Sequence, residues 1–487
     1  MVDSKTSIIF IMVWLLFALF FIFISPPVQA ATPEGWVDTV EYLPSKQLRI
    51  SGWARDPDHP DQPISVHFYI GGPSGMGAHI GSITANKNRS DVGAHGFSVN
   101  IALDNKYQHG YHGVFAHGID LDKEENSLLS PQLGKTFYTG TPDPLDQHFQ
   151  QSPCTPTNQA DLTISNQINN NLKIQISTTA KMAGAIASLK INDLETVDVF
   201  DHGRELQYAY QIDGQGEKNN PTEAGNSGDK DTSSSIFLGG CSTDNILYTK
   251  TQMAYWRIRN GQKTSPYVME KIVQLGIPGH PNVIKFLAKF NMVENVKGLS
   301  IEVPTGYHIY DFDRLTLMKT TDFSTYIPGP ESFRVVVPFD RVLHTKNLII
   351  LSNGTYSFAV YSPYPVRYSF LHSQSASTTK WTMGRMFSNL SAGTDIYVES
   401  YMIIDTPQQI QNSLINLVNA LNSSITLGDI NGDNKVDLTD YSLWKEQFIL
   451  GELGTKTLSS PADFNQDNKV NILDYSIWKQ VYINSFK

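Results

Sequence analysis

Asp429-Ile430-Asn431-Gly432-Asp433-Asn434-Lys435-Val436-Asp437-Leu438-Thr439-Asp440 recurs 34 residues later (429 to 463, 440 to 474) as Asp463-Phe464-Asn465-Gln466-Asp467-Asn468-Lys469-Val470-Asn471-Ile472-Leu473-Asp474. Each copy places oxygen-bearing side chains at loop positions 1, 3, 5, 9 and 12, and leaves position 7 to offer its backbone carbonyl. The first set is Asp429, Asn431, Asp433, Lys435 (through its carbonyl), Asp437 and Asp440. The second is Asp463, Asn465, Asp467, Lys469, Asn471 and Asp474. This is the donor pattern of a calcium loop, in which crowded oxygens surround a hard cation. Without the ion, the carboxylates of one short loop would repel one another. Two loops predict two Ca²⁺ ions. Position 6 ordinarily takes Gly for a sharp turn; Asn434 and Asn468 stand there, and Asn tolerates the left-handed region better than most residues. Position 12 is Asp, one methylene shorter than the Glu of an EF-hand.

Each loop runs into Asp-Tyr-Ser-(Leu/Ile)-Trp-Lys, at 440–445 and 474–479. Tyr441, Trp444 and Phe448, mirrored by Tyr475, Trp478 and Tyr482, are spaced to line one helical face. Val436 and Val470 are placed to join them in one small core built by pseudo-twofold symmetry. Residues 425–487, with their duplicated half-EF-hand loops, resemble a dockerin. The resemblance implies docking onto a cohesin module and, by association, polysaccharide breakdown. Recognition in that family centres on loop positions 10 and 11, often a small hydroxyl pair. Here they are Leu438-Thr439 and Ile472-Leu473. The departure leaves three possibilities open: a cohesin of different specificity, another surface scaffold, or a purely structural role.

Working back from this end, 487 residues are too many for one core and suggest about three units. Twenty-five Pro, 35 Gly and only 17% charged residues favour short strands and turns over helices. A net charge of −10 gives no electrostatic footprint for nucleic acid. At the N-terminus, Ile8 to Ile24 is an unbroken apolar run preceded by Lys5 and followed by Pro26 to Ala31, with small residues at Val28 and Ala30. Residues 1–30 are expected to be a signal peptide, or an N-terminal membrane anchor if retained. Both place the rest of the chain outside the cytoplasm, extracellular or at the cell surface. Such a compartment permits a disulfide between the two cysteines, Cys154 and Cys241, with two free thiols as the alternative.

Residues 32–140 carry short alternating runs such as Ile64-Ser65-Val66-His67-Phe68-Tyr69-Ile70, broken at Asp56-Pro57-Asp58 and Gly71-Gly72-Pro73. A small antiparallel β-sandwich is expected. Gly35-Trp36-Val37-Asp38, Gly52-Trp53-Ala54-Arg55-Asp56-Pro57 and Gly110-Tyr111-His112 resemble small β modules appended to bacterial surface and carbohydrate-active proteins. Trp36 and Trp53 are candidates to stack on sugar faces, although a buried Trp is the commoner case. His79, His95, His109, His112 and His117 crowd this stretch without the spacing of a metal set. The Pro-rich residues 141–160 read as a linker.

Residues 161–420 repeat the strand character at Leu172–Ile176, Gly184–Asn192, Phe333–Val337, Leu348–Leu351 and Tyr356–Tyr361; only Pro407 to Leu421 shows helical periodicity. The expectation is a large sandwich of two sheets, making the whole protein mainly β with an α-helical C-terminal domain. Gly184-Ala185-Ile186-Ala187-Ser188-Leu189, and Leu390 to Asp395 before a strand, resemble the galactose-mutarotase-like supersandwich, which implies sugar binding on a concave sheet. Two polar words stand out: Asp201-His202-Gly203-Arg204-Glu205-Leu206-Gln207 and Asn220-Pro221-Thr222-Glu223-Ala224-Gly225. Arg204, Gln207, Asn220 and Glu223 offer the planar donors and acceptors that sugar hydroxyls need. Glu205 and Glu223 are alternatively an acid and a base for glycoside chemistry. The plainer possibility is a buried ion-pair and amide network shaping two loops. The polar stretch from Asn219 to Ser235 is expected to be an exposed loop beside them. Two function classes compete: a carbohydrate-binding or adhesive module, and a glycoside hydrolase or polysaccharide lyase.

Overall fold

A computed structural model describes residues 31–422 except 108, 123–125, 141–142, 215, 320–322, 327–342 and 346–347; beyond these it describes 436–452, 462 and 470–484. The apolar run at 8–24 and the expected strand at Phe333–Val337 lie outside the described residues. Among the described residues, no helix is long and apolar enough to cross a membrane.

The protein is mainly β. Strands Glu34–Tyr42, Gln47–Arg55, Gly93–Ala102 and Lys87–Arg89 form one antiparallel sheet, and Ala78–Thr84, Ser65–Ile70, Tyr111–Gly118, Ser127–Leu128 and Lys135–Tyr138 form another. Alternation decides which face of each strand turns inward. In Ser65–Ile70, Val66, Phe68 and Ile70 are fully buried and meet Leu48, Ile50 and Phe97 from the facing sheet. The N-terminal sandwich is therefore a closed core of its own.

From Thr163 to Asp405 the strands join in one continuous antiparallel network. Its long hairpins rest on short turns. Between Ile246–Arg259 and Gln262–Ile277, Asn260 and Gly261 both take positive φ (51° and 80°), the left-handed pair that matches the twist of a two-residue hairpin. Helix α1, Ile410–Asn422, closes this core with Ile410, Leu414, Leu417 and Val418.

The segment expected to be a linker is packed rather than free. Pro144–Phe149 forms a 3₁₀ helix capped by Asp143, and its Leu145 and Phe149 are buried with Tyr248, Leu287 and Tyr397. A little further on, Cys154 and Cys241 are bonded to each other. Thr136 and Ser388 hydroxyls meet at 3.1 Å, and Asn389 donates to the Gly134 carbonyl at 3.1 Å. The small sandwich is thus seated against the large one.

Helices α2 (Leu438–Glu452) and α3 (Ile472–Asn484) form the C-terminal domain. Tyr441 lies 5.8 Å from Tyr475 and 5.2 Å from Trp478, and Trp444 lies 5.2 Å from Tyr475, measured between ring centroids. Trp444 and Trp478 are buried in equivalent places. The mirrored spacing of the two copies produces this interdigitated aromatic core.

Candidate functional site

The two polar words meet in the central sandwich, in its interior. Glu223 is fully buried and ion-paired with Lys271, also fully buried. Its other oxygen accepts from the Tyr208 backbone N–H at 3.2 Å, while Lys271 donates also to the Gly184 carbonyl at 3.2 Å. Gln207 ties the words together, accepting from the Ala224 N–H at 3.0 Å and donating to Glu205 at 3.2 Å. The remaining Glu205 oxygen is buried, with no hydrogen-bond partner among the described residues. Burial, reinforced by Asp201, raises the Glu205 pKa well above the carboxylate range. Burial raises Glu223 as well, opposed by Lys271.

This corrects the reading of Glu205 and Glu223 as an acid–base pair, and of Gln207 and Glu223 as groups offered to sugar: all three are buried away from solvent. Sequence carried no hint of Lys271, 48 residues beyond Glu223. Arg204 and Asn220 keep partial exposure. Arg204 bridges outward, donating to Asp198 at 3.2 Å and to the Ala376 carbonyl at 2.7 Å beneath the exposed Phe200 ring. The first part of the stretch after Asn219 also departs from expectation, whereas Gly228, Lys230, Asp231 and Thr232 are exposed. Residues 221–226 are buried, because their polar groups close on the backbone: Thr222 on Gly225, and Asn226 on Tyr255.

A second cluster, not foreseen from sequence, lies beside it on the outward side of the paired strands Val296–Ile309 and Thr378–Leu390. Tyr307 and Lys380 are register partners, and the half-buried Lys380 reaches Glu302 at 3.5 Å and lies 4.8 Å from the Tyr307 ring centroid. Burial raises the Tyr307 pKa, opposed by the neighbouring Lys380. In the small sandwich, Trp36 and Trp53 face each other in register, and Trp36 is 46% exposed rather than buried. It sits on an outward strand face, where alternation leaves large rings uncovered.

In the C-terminal domain, the donor positions that lie among the described residues are 9 and 12 of each loop. Asp437 accepts from the Thr439 N–H and Asn471 from the Leu473 N–H, both at 2.7 Å, capping α2 and α3. Asp440 and Asp474 are fully buried and reach back to the Asp437 and Asn471 N–H groups at 2.9 and 2.8 Å. Two buried carboxylates in equivalent places, each at position 12 of an oxygen-rich repeat, fit a cation. Asp429, Asn431, Asp433, Lys435, Asp463, Asn465, Asp467 and Lys469 lie outside the described residues. Among the described residues, no group of three or more His, Cys, Asp or Glu is placed to hold a metal. Immediately beside the caps, Leu438, Ile472 and Leu473 are 62%, 62% and 57% exposed.

Residues 427–482 match the Dockerin type I domain, and this part of the chain is a dockerin. Dockerin type I domains bind calcium and dock onto cohesin scaffolds. No curated protein matches the chain. Among solved structures, the central region resembles a galactose mutarotase-like protein from Lactobacillus casei, at 12% identity over 50% of this chain and 100% of that one, with a TM-score of 0.31. The chain also resembles an α-N-acetylgalactosaminidase from Bifidobacterium bifidum (8% identity, 55% and 40% covered, TM-score 0.34). An α-mannosidase from Enterococcus faecalis matches at 7% identity, with 77% and 42% covered and a TM-score of 0.32. At these identities and scores nothing about chemistry carries across.

Proposed function

We propose that this is an exported protein that docks through its dockerin, loaded with two Ca²⁺ ions, onto a cohesin-like scaffold, and presents its β-sandwiches to carbohydrate. One observation carries the docking: the apolar residues Leu438, Ile472 and Leu473 stand exposed at equivalent helix starts, directly beside the loop carboxylates. Exposed apolar side chains in a symmetric pair suit a protein partner better than solvent. On this reading 32–140 and 161–420 are the cargo and 425–487 is the attachment. The test is capture of the full chain on immobilised cohesin modules, with calcium and with EGTA, and its retention on cellulose, xylan, chitin and pectin. Calcium-dependent capture is expected. Failure of every cohesin would reject docking, and failure of every glycan together with every soluble sugar would reject carbohydrate binding.

A second reading, a glycosidase or polysaccharide lyase, is favoured by the Glu302–Lys380–Tyr307 cluster, which puts an acid, a cation and a phenol on one partly exposed sheet face. New reducing ends, or the ultraviolet absorbance of lyase products, abolished by Glu302→Gln would establish it.

A further inference from the structure

A cavity of about 330 Å³ opens where the small sandwich meets the large one. It lies within the roughly 300–1,000 Å³ of small-molecule sites, which favour such seams. One wall is a pair of register partners from the small sandwich, Tyr111 and Tyr138, with ring centroids 4.6 Å apart. Tyr138 is 46% exposed, so an apolar ring face stands at the cavity's edge. Asp143 and Asp146, from the 3₁₀ segment between the sandwiches, contribute two carboxylates, and Arg385 and Tyr397 come from the large sandwich.

Arg385 is the unusual member. Its side chain is buried, with the guanidinium 4.3 Å from the Tyr364 ring centroid and 4.8 Å from that of Phe387. Among the described residues it makes a single hydrogen bond, from Nη1 to the Tyr397 carbonyl at 3.1 Å, and no ion pair. A guanidinium carries five N–H donors, and a buried one ordinarily spends them on a carboxylate. Here the two rings hold its plane and leave its other donors beside the cavity. Asp143 uses one oxygen to cap Leu145 at 2.9 Å. Asp146 accepts from the Tyr397 hydroxyl and, at 3.3 Å, from Gln150.

We infer that this seam binds a neutral pyranose ring, which gives the carbohydrate reading above a place. Neighbouring hydroxyls of a pyranose both donate and accept, so a guanidinium and a carboxylate side by side can read one such pair. The C–H face of the ring suits Tyr138. An anionic sugar would meet Asp143 and Asp146 as well as Arg385, so the charge balance favours an uncharged one. Neither sandwich alone carries this set, because the aromatic wall and the guanidinium come from different modules.

Saturation-transfer NMR of the full chain tests this, with D-glucose, D-galactose, D-mannose, D-xylose, N-acetyl-D-glucosamine and D-glucuronate as probes. Transfer to at least one neutral sugar is expected. Affinity should fall at least about fivefold in Tyr138→Ala, which alters an exposed ring, and in Asp143→Asn, which can still cap Leu145. Transfer to glucuronate alone would overturn the choice of an uncharged ligand. A neutral-sugar signal unchanged in both variants would overturn the seam site and leave carbohydrate binding standing. Retention of the chain on an insoluble glycan, with no probe saturated, would likewise overturn the seam site alone. Absence of both saturation and retention would overturn the two readings together.

Discussion

Glu205 leaves one carboxylate oxygen without a partner among the described residues, and its burial gives the central domain a pH signature. Its pKa is raised in the fold, chiefly by burial, so the folded chain holds this proton more tightly than the unfolded one, whose Glu titrates near about 4.3. The corresponding stability is whole below that pH and is lost as pH climbs toward the folded value. Melting temperature should therefore drop between pH 5 and pH 8 more steeply in the wild type than in Glu205→Gln; equal slopes would count against it. The Glu223–Lys271 pair makes a sharper demand. Lys271→Met strands a buried carboxylate and should lower stability by about 3–5 kcal/mol in denaturant unfolding. Adding Glu223→Gln should restore part of that loss. The polar words were legible as chemistry, since a Glu, a Gln and an Arg that close together imply a network or a site. Depth was not legible, because neither Lys271 nor the direction of each strand face is written near them.

At the scale of elements, the clearest signal was the best preserved. The 34-residue offset foretold two equivalent helix starts, and residues 9 and 12 of each loop do cap their helices. Since the same four side chains are donors of the calcium-loop pattern, removing calcium should unwind both helix starts. Far-ultraviolet circular dichroism of the full chain should lose helical signal on adding EGTA and regain it with calcium. Unchanged spectra would argue that the loops hold no ion. Leu438→Asp with Leu473→Asp should leave the helical signal intact, because both side chains are exposed, yet weaken capture on cohesin about tenfold or more. Strands were foreseen wherever alternation was strict. The stretch from Asn219 misled because Thr, Asn and Ser can satisfy themselves on nearby backbone and then bury.

At the scale of the whole molecule, the Pro-rich stretch between the sandwiches is a brace, and composition could not show this, since Leu145 and Phe149 find their pocket on strands far along the chain. The Cys154–Cys241 bond closes a separation of 87 residues, which in a chain-entropy account is worth up to about 4–5 kcal/mol. Cys154→Ser should lower the melting temperature of the large sandwich by several degrees and leave the calcium response of the dockerin untouched. On the proposed docking, the cargo and the tether are thus held by unrelated chemistry. A reductant is expected to slacken the cargo while the tether grips, and a chelator to release the tether while the cargo stays sound. A cell or a biochemist could then unload this protein intact simply by withdrawing an ion, and load it again by restoring it.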